Sequence, residues 1–352
     1  MTTYISSTTF MYEAVFAGLI LALIAGQASI RIARRMGLID LPGVAVYKNH
    51  KVPMPLAGGI ALGLALPLLV LIFGLWDNSE MRYMLVAGLM ILVVGLWDDA
   101  RRLPPVIKFA GQILAAVLLN ASGIYIQIFE TQSFFVGGSE LIYELLDRGL
   151  TIFWVIGVTN AFNLVDSMDG LSVGLGAWAF GFFMLATFDS QQLGLSLFSA
   201  IMLGQCLGLL FHNISPARPF MGDAGAQLLG FLFAVIAILY TPPAAEQNSS
   251  WFVPILLVSV PIFDTSLVVI SRLRRHLPFY RGGRDHTYHR LVDFGMAPGR
   301  AVLVMHLAAV LLQCVAFMAF SMEPLIANGI FLACVILGAV GIIVLDHRKI
   351  WA

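Results

Sequence analysis

The chain has 352 residues, of which 59% are hydrophobic and 11% charged, with a mean hydropathy of +0.90. A soluble domain carries roughly twice that share of charge, so the composition excludes one and predicts an all-α polytopic integral membrane protein. The formal net charge is zero, no nucleic-acid partner is expected, and Cys206, Cys314 and Cys334 lie singly in apolar runs, indicating neither a disulfide framework nor a metal site.

Apolar runs fall at 12–30, 56–74, 83–97, 105–121, 150–162, 171–188, 193–211, 224–240, 252–271, 301–320 and 325–345. Most approach the ~20 residues that a bilayer requires, which predicts ten or eleven transmembrane helices in a single domain spanning 1–352. No internal repeat, heptad pattern or low-complexity tract divides it, and the first run reads as a retained helix. With the N-terminus outside, the loops after odd-numbered runs and the C-terminus hold 18 of the 20 Lys and Arg residues, leaving only Arg82 and Arg148 opposite. The positive-inside rule therefore predicts an outside N-terminus and a cytoplasmic C-terminus. Runs three and five are short, roughly 8 Å below a full crossing. Both end in acids, which predicts a polar site recessed at the cytoplasmic leaflet.

Taken in order, the cytoplasmic loops are about 31–55, 98–108, 160–170, 212–223 and 272–300. The first carries Lys48, His50 and Lys51, cations suited to an anionic ligand or simply to the inner face, and ends in Gly58-Gly59, which allows close backbone approach. Asp98 and Asp99 are adjacent carboxylates at the end of an apolar helix, an arrangement that calls for a cation partner, a salt-bridge cluster with Arg101, Arg102 and Lys108, or proton transfer. Lys108 and Gln112, four apart, share a helix face. The outward segment 120–149 contains I-Y-I-Q-I-F and V-G-G, which predict a small hairpin without chemistry.

Asn160, Asn163, Asp166 and Asp169 follow at a spacing of three where an apolar run stops. On a helix they would share a face, serving either as a capping and turn cluster or as a site for a metal with phosphate, a sugar nucleotide or an ion. Asp223 precedes the eighth run, where a carboxylate is an ordinary helix cap, but Asn213, Phe220, Gly222 and Gly225 lie in the same short loop. Asp264 is an acid inside the ninth run, a functional candidate by position. The last loop offers Arg284, Asp285, His286, His289 and Arg290 without a third soft ligand, so phosphate suits it better than zinc. His306 and His347 read as satisfied or interfacial histidines.

Five ordered motifs then carry a resemblance: P-x-P-x-x-G-G (Pro53–Gly59), D-D-x-x-x-L-x-x-x-x-K-x-x-x-Q (Asp98–Gln112), N-A-F-N-L-x-D-x-x-D-G-L (Asn160–Leu171), F-M-G-D-A-G (Phe220–Gly225) and D-H-x-x-H-R-L (Asp285–Leu291). Through them, across roughly residues 35–295, the chain resembles the polyprenyl-phosphate N-acetylhexosamine-1-phosphate transferases of the bacterial cytoplasmic (inner) membrane. The resemblance implies transfer of GlcNAc 1-phosphate from a UDP-sugar to undecaprenyl phosphate, with UMP released, as the first membrane step of a cell-envelope glycan such as O-antigen or teichoic acid. It implies Mg²⁺, with Mn²⁺ as a substitute, and homodimers occur among such enzymes.

Carried over by motif position, Asp98 would act on the acceptor as base or phosphate-positioning acid with Asp99 beside it. Asp223 would be the principal metal ligand, joined by Asp166 and Asp99. Asp166 and Asp169 with Asn160 and Asn163 would hold nucleotide and metal, and Phe220 would stack on uracil near Asn213. Lys51 and Lys108 would bind phosphates, and His286 and His289 with Arg284 and Arg290 would close over the diphosphate and sugar. Ser167, Ala226 and Tyr288 depart from the family's usual Gly, Ser and His, and each would retune sugar recognition. UDP-GalNAc, a UDP-deoxy-sugar or UDP-MurNAc-pentapeptide are alternative donors, though the D-H-x-x-H form favours GlcNAc. The alternative of another class is a cation or nucleotide-sugar transporter.

Overall fold

The computed structural model describes residues 2–42, 52–130, 139–214, 219–242, 249–278 and 283–347, with side chains from residue 8 onward. The helices are α1 (Thr2–Met36), α2 (Gly58–Ile72), α3 (Ser79–Arg101), α4 (Pro105–Ala121), α5 (Glu140–Val165), α6 (Leu171–Asp189), α7 (Leu193–Asn213) and α8 (Gly222–Leu239). After these come α9 (Val253–Leu257), α10 (Ser259–Arg274), α11 (Thr287–Asp293), α12 (Pro298–Phe320) and α13 (Pro324–Leu345). Among the described residues, seven helices are long and apolar enough to cross a membrane: α1, α3, α6, α7, α8, α12 and α13. α2 and α4 are shorter apolar helices.

The centre is α8, which packs against α2, α3, α5 and α6. Every residue from Ala224 to Ile236 is buried, as expected of a helix apolar on all sides. α13 is the opposite case, since no residue of its most apolar stretch is fully buried. It is greasy because lipid is its solvent.

Helix ends follow local chemistry. Asn78 caps α3 by accepting from the backbone N–H of Glu80 at 2.8 Å and Met81 at 3.2 Å. Pro105, Pro298 and Pro324 open α4, α12 and α13 at the first turn, where a missing N–H costs nothing. The ninth apolar run is broken between α9 and α10, because Pro261 cannot donate back to the Leu257 carbonyl. Gln313 Nε2 of α12 donates to that carbonyl at 2.9 Å instead, satisfying a backbone group that hydrocarbon could not.

Two expectations are corrected. The third and fifth spans are not short: α3 has 23 residues and α5 has 26. Their helical hydrogen bonding continues past the charged residues at which the apolar count stops. The outward hairpin is absent from the described part of its segment; residues 124–127 have no regular structure. There, buried Asp147 of α5 accepts from the backbone N–H groups of Ile128, Phe129 and Glu130. The architecture is all-α as expected, with one short ribbon in which β1 (Ile39–Asp40) pairs antiparallel with β2 (Met54–Pro55). Phe220 extends this ribbon, its N–H donating to the Pro55 carbonyl at 3.0 Å and its carbonyl accepting from Ala57 at 3.1 Å. The first and fourth motifs are thereby laced together.

Candidate active site

Two glycines let the fold close here. A Cβ on Gly59 of α2 would lie 2.5 Å from the Ala224 Cβ and 2.9 Å from the Gly225 nitrogen, so α2 reaches α8 only without a side chain. Gly222 opens α8 with φ +70°, a left-handed conformation that favours glycine, and a Cβ there would meet Asp99 Oδ2 at 2.6 Å.

Against that opening turn stands the end of α3. Asp99 Oδ1 accepts from the Asp223 N–H at 2.8 Å and Oδ2 from the Ala224 N–H at 3.2 Å. Asp99 thus caps the positive end of α8 across the helix interface, with both oxygens engaged. Each oxygen of Asp99, expected as a metal ligand, thus accepts one backbone N–H.

Asp98, 5% exposed, points the other way. Its Oδ1 accepts from the Leu103 N–H at 2.7 Å and its Oδ2 forms an ion pair with Lys108. Lys108 also pairs with Asp223 Oδ2 at 2.5 Å. One ammonium therefore sits between two carboxylates drawn from different helices. Four residues further along both α4 and α8, Gln112 Nε2 donates to Gln227 Oε1 at 2.9 Å. Two successive turns of α4 thus read two successive turns of α8, in keeping with the face shared by Lys108 and Gln112.

The Asn160–Gly170 stretch is helix as far as Val165 and turn thereafter. Only Asn160 and Asn163 lie on α5, so the single-face arrangement is corrected for Asp166 and Asp169. Asn160 Nδ2 donates to Gln112 Oε1 at 2.6 Å, which makes it part of the amide chain between α4, α5 and α8. Asn163 interacts with the Asp223 carboxylate. Asp166 lies at the foot of α5, where burial raises its carboxyl to about 7 and the Asp223 and Asp169 charges push in the same direction. Asn213 is buried, accepting from the Gly170 N–H at 3.0 Å and donating to the Pro219 carbonyl at 3.0 Å. It clamps the Asp166–Gly170 turn to the Phe220 loop.

The His-bearing loop is similarly built. His286 Nδ1 pairs with Asp264 Oδ2 at 2.8 Å, and Asp264 Oδ1 accepts from the Thr287 N–H at 2.6 Å. The buried acid of the ninth run is therefore a histidine orienter. Asp285 receives Arg272 in bidentate fashion at 2.9 and 2.7 Å and Arg275 at 2.8 Å. Against burial, which would raise it, these partners hold the Asp285 carboxyl below its ordinary value. His289 Nε2 meets the Tyr288 hydroxyl at 2.7 Å, and that hydroxyl donates to the Ser167 carbonyl at 3.3 Å. Two departures from the family pattern, Ser167 and Tyr288, are thus in contact. Burial, with the His286 and Arg284 charges, pushes His289 down to about 4 and keeps it neutral at pH 7.

Of the residues singled out in the sequence, Asp98, Lys108, Asn163, Asp166 and Asp223 come together, with Asp169 acting on Asp166 through its charge. Arg284 is exposed at the loop's edge, whereas Arg290 is buried and bonded to protein carbonyls rather than open to phosphate. Phe220 is half-buried and fixed through its backbone. Lys51 lies outside the described residues. Sequence reading missed Gln227, whose signal was its position one helical turn past Asp223, and the Arg272–Asp285 pair, whose partners are 13 residues apart.

Carboxylates outnumber cations at this site, an all-oxygen donor set suited to a hard divalent ion. No group of three acids or histidines converges into a ready-made metal cage among the described residues. That still fits Mg²⁺, which takes one or two carboxylates and completes its shell with substrate phosphates and water.

The sequence model of glycosyl transferase family 4 matches residues 81–241. The probable undecaprenyl-phosphate N-acetylglucosaminyl 1-phosphate transferase of Bacillus subtilis (strain 168) is 30% identical over 281 residues, covering 79% of this chain and 76% of the relative. The decaprenyl-phosphate N-acetylglucosaminephosphotransferase of Mycobacterium tuberculosis (strain CDC 1551 / Oshkosh) is 29% identical over 306 residues, with 78% and 74% covered. The undecaprenyl-phosphate alpha-N-acetylglucosaminyl 1-phosphate transferase of Escherichia coli (strain K12) is 27% identical over 305 residues, with 82% and 78% covered.

Proposed function

The chain belongs to glycosyl transferase family 4, and from that membership we infer that it transfers GlcNAc 1-phosphate from UDP-GlcNAc to a polyprenyl phosphate. An oxygen of the lipid phosphate attacks the β-phosphorus, the bond from that phosphorus to the bridging oxygen breaks, and UMP leaves with the oxygen. The observation that carries the reading is the Asp98–Lys108–Asp223 cluster on three helix ends, beside Asp166 and Asn163.

Phosphoryl transfer of this kind needs positioning and charge neutralisation more than covalent chemistry. We assign Asp98 to the acceptor, where it keeps the lipid phosphate deprotonated and in line. Lys108 neutralises phosphate charge between the two substrates. Asp223 and Asp166 would hold Mg²⁺ or Mn²⁺, which when bound supplies charge neutralisation to the diphosphate. Asp99 and Asn213 shape the site by fixing the α8 terminus and the Asp166–Gly170 turn. Asp169, Asn163 and Phe220 bind the nucleotide. His286, oriented by Asp264, faces the diphosphate and sugar with His289 and Arg284.

The reading extends to topology. Eleven crossings, with the N-terminus outside and the C-terminus in the cytoplasm, put all five motifs at the cytoplasmic face of the inner membrane, where UDP-sugars are found. Support comes from the 18 basic residues on that side and from a helix at each of the eleven apolar runs, one of them broken. Reaction in place of transport is supported by the relatives' names.

The test is UMP release by purified protein in detergent with undecaprenyl phosphate, assayed in parallel with UDP-GlcNAc, UDP-GalNAc and UDP-MurNAc-pentapeptide. UMP from UDP-GlcNAc, dependent on lipid and abolished by EDTA, is expected. UMP from another donor alone would overturn the sugar assignment, and solute movement without UMP would restore the transporter.

A further inference from the structure

α13 meets the rest of the protein at its outer end, where Trp251 Nε1 donates to Asn328 Oδ1 at 2.8 Å and Phe252 stacks on Phe331 at 4.9 Å. Its body is partly covered, with Gly338 and Gly341 lying beside Phe263 of α10, and no residue of its most apolar stretch is fully buried. Yet Asp346, which ends the helix on the side of the His-bearing loop, is 5% exposed. Its carboxylate pairs with Arg274 at 3.0 Å and Arg290 at 3.4 Å. The backbone joins in: the Leu345 carbonyl accepts from Arg290 Nη1 at 2.6 Å, and the Asp346 carbonyl accepts from Arg274.

Arg290 carries this hold into the loop. Its Nε donates to the Asp285 carbonyl at 2.9 Å and its Nη2 to Ser271 Oγ at 2.8 Å. The Asp285 side chain is meanwhile gripped by Arg272 and Arg275. Asp285 immediately precedes His286, so the backbone carrying that histidine is fixed from both sides. A helix already docked at its other end has no need of such a connection. The geometry is that of a brace on the loop rather than an anchor for the helix.

We propose that Asp346, which lies outside all five motifs, is a positioning residue for the sugar-nucleotide loop, acting through Arg290 on the Asp285–His286 backbone. The proposal rests on the transferase reading. Asp346 removes part of the buried charge of Arg290 and fixes its fork, so Arg290 in turn holds the loop in the shape that receives the donor.

The test compares full-length Asp346→Asn, Asp346→Glu and Arg274→Gln with wild type. In Asp346→Asn, KM for UDP-GlcNAc should rise ~tenfold while kcat and KM for undecaprenyl phosphate stay within about twofold. Asp346→Glu should restore much of the loss. Hydrogen exchange, which needs no turnover, should show amides 284–293 opening ~tenfold faster in Asp346→Asn with those of α8 unchanged. Should Asp346→Asn fail to fold, Arg274→Gln should shift both readouts the same way by less. A lowered thermal midpoint with KM and exchange in 284–293 unchanged would overturn the proposal, as would no change in Arg274→Gln. Wild-type protein that releases no UMP would defeat the transferase reading, leaving exchange to judge the brace.

Discussion

Lys108 is the residue on which the site's charge balance turns, because it lies between Asp98 and Asp223. Removing one preorganised charge donor from such a site costs ~10²–10³ in turnover, so Lys108→Gln should lower UMP release by about that factor; a loss under threefold would remove Lys108 from the machinery. His289 gives a pH signature. Its folded pKa is pushed down to about 4 by burial, whereas an unfolded imidazole titrates near ~6.5. The unfolded chain therefore takes up protons first as pH falls. Its contribution to stability is complete above ~6.5 and is lost between there and ~4. Measured against His289→Gln, the wild-type thermal midpoint in detergent should drop through that window; an identical slope in the variant would clear His289. Asp166, raised to about 7 by burial, acts in the opposite sense, losing stability as pH climbs from ~4 through 7. The sequence shows which carboxylates and amides are present but not which are already engaged. Asp98 and Asp99 are neighbours in the chain, yet only the packing of α8 sends one to Lys108 and the other to backbone amides.

At the scale of elements, apolar runs locate helices because lipid leaves few other ways to satisfy a backbone, and each run found a helix. Ends were less legible. Hydropathy stops at the first charged residue, but Asp98 and Asp99 belong to α3, and α5 begins ten residues before its apolar run. The break between α9 and α10 follows from Pro261, while its partner Gln313 is 56 residues from Leu257 and invisible to local reading. Gln313→Leu should leave the Leu257 carbonyl unpaired in hydrocarbon and cost ~1–3 kcal/mol, read as a lower thermal midpoint in detergent. An unchanged midpoint would mean that the carbonyl finds another partner.

At the scale of the whole molecule, α8 is the hub: its N-terminal turn gathers α2, α3 and α4, and its body is closed off by α5 and α6. The topology proposed from charge placement predicts that Gly299→Cys reacts with a membrane-impermeant thiol reagent only after permeabilisation, whereas Glu140→Cys reacts in intact cells. The reverse pattern would invert the chain and move the motifs outside. The five motifs foretold one polar face, and four of them meet around the opening of α8 because a buried, all-apolar helix can carry its acid only at an end. The fifth comes in through Tyr288, whose hydroxyl reaches the Ser167 carbonyl.

The most direct measurement is UMP release from UDP-GlcNAc and undecaprenyl phosphate by Asp98→Asn and Asp223→Asn protein. Both variants are expected to fold, with thermal midpoints near wild type, and to turn over at less than ~1% of its rate. Wild-type turnover in either would show that chemistry does not occur at the Asp98–Lys108–Asp223 cluster.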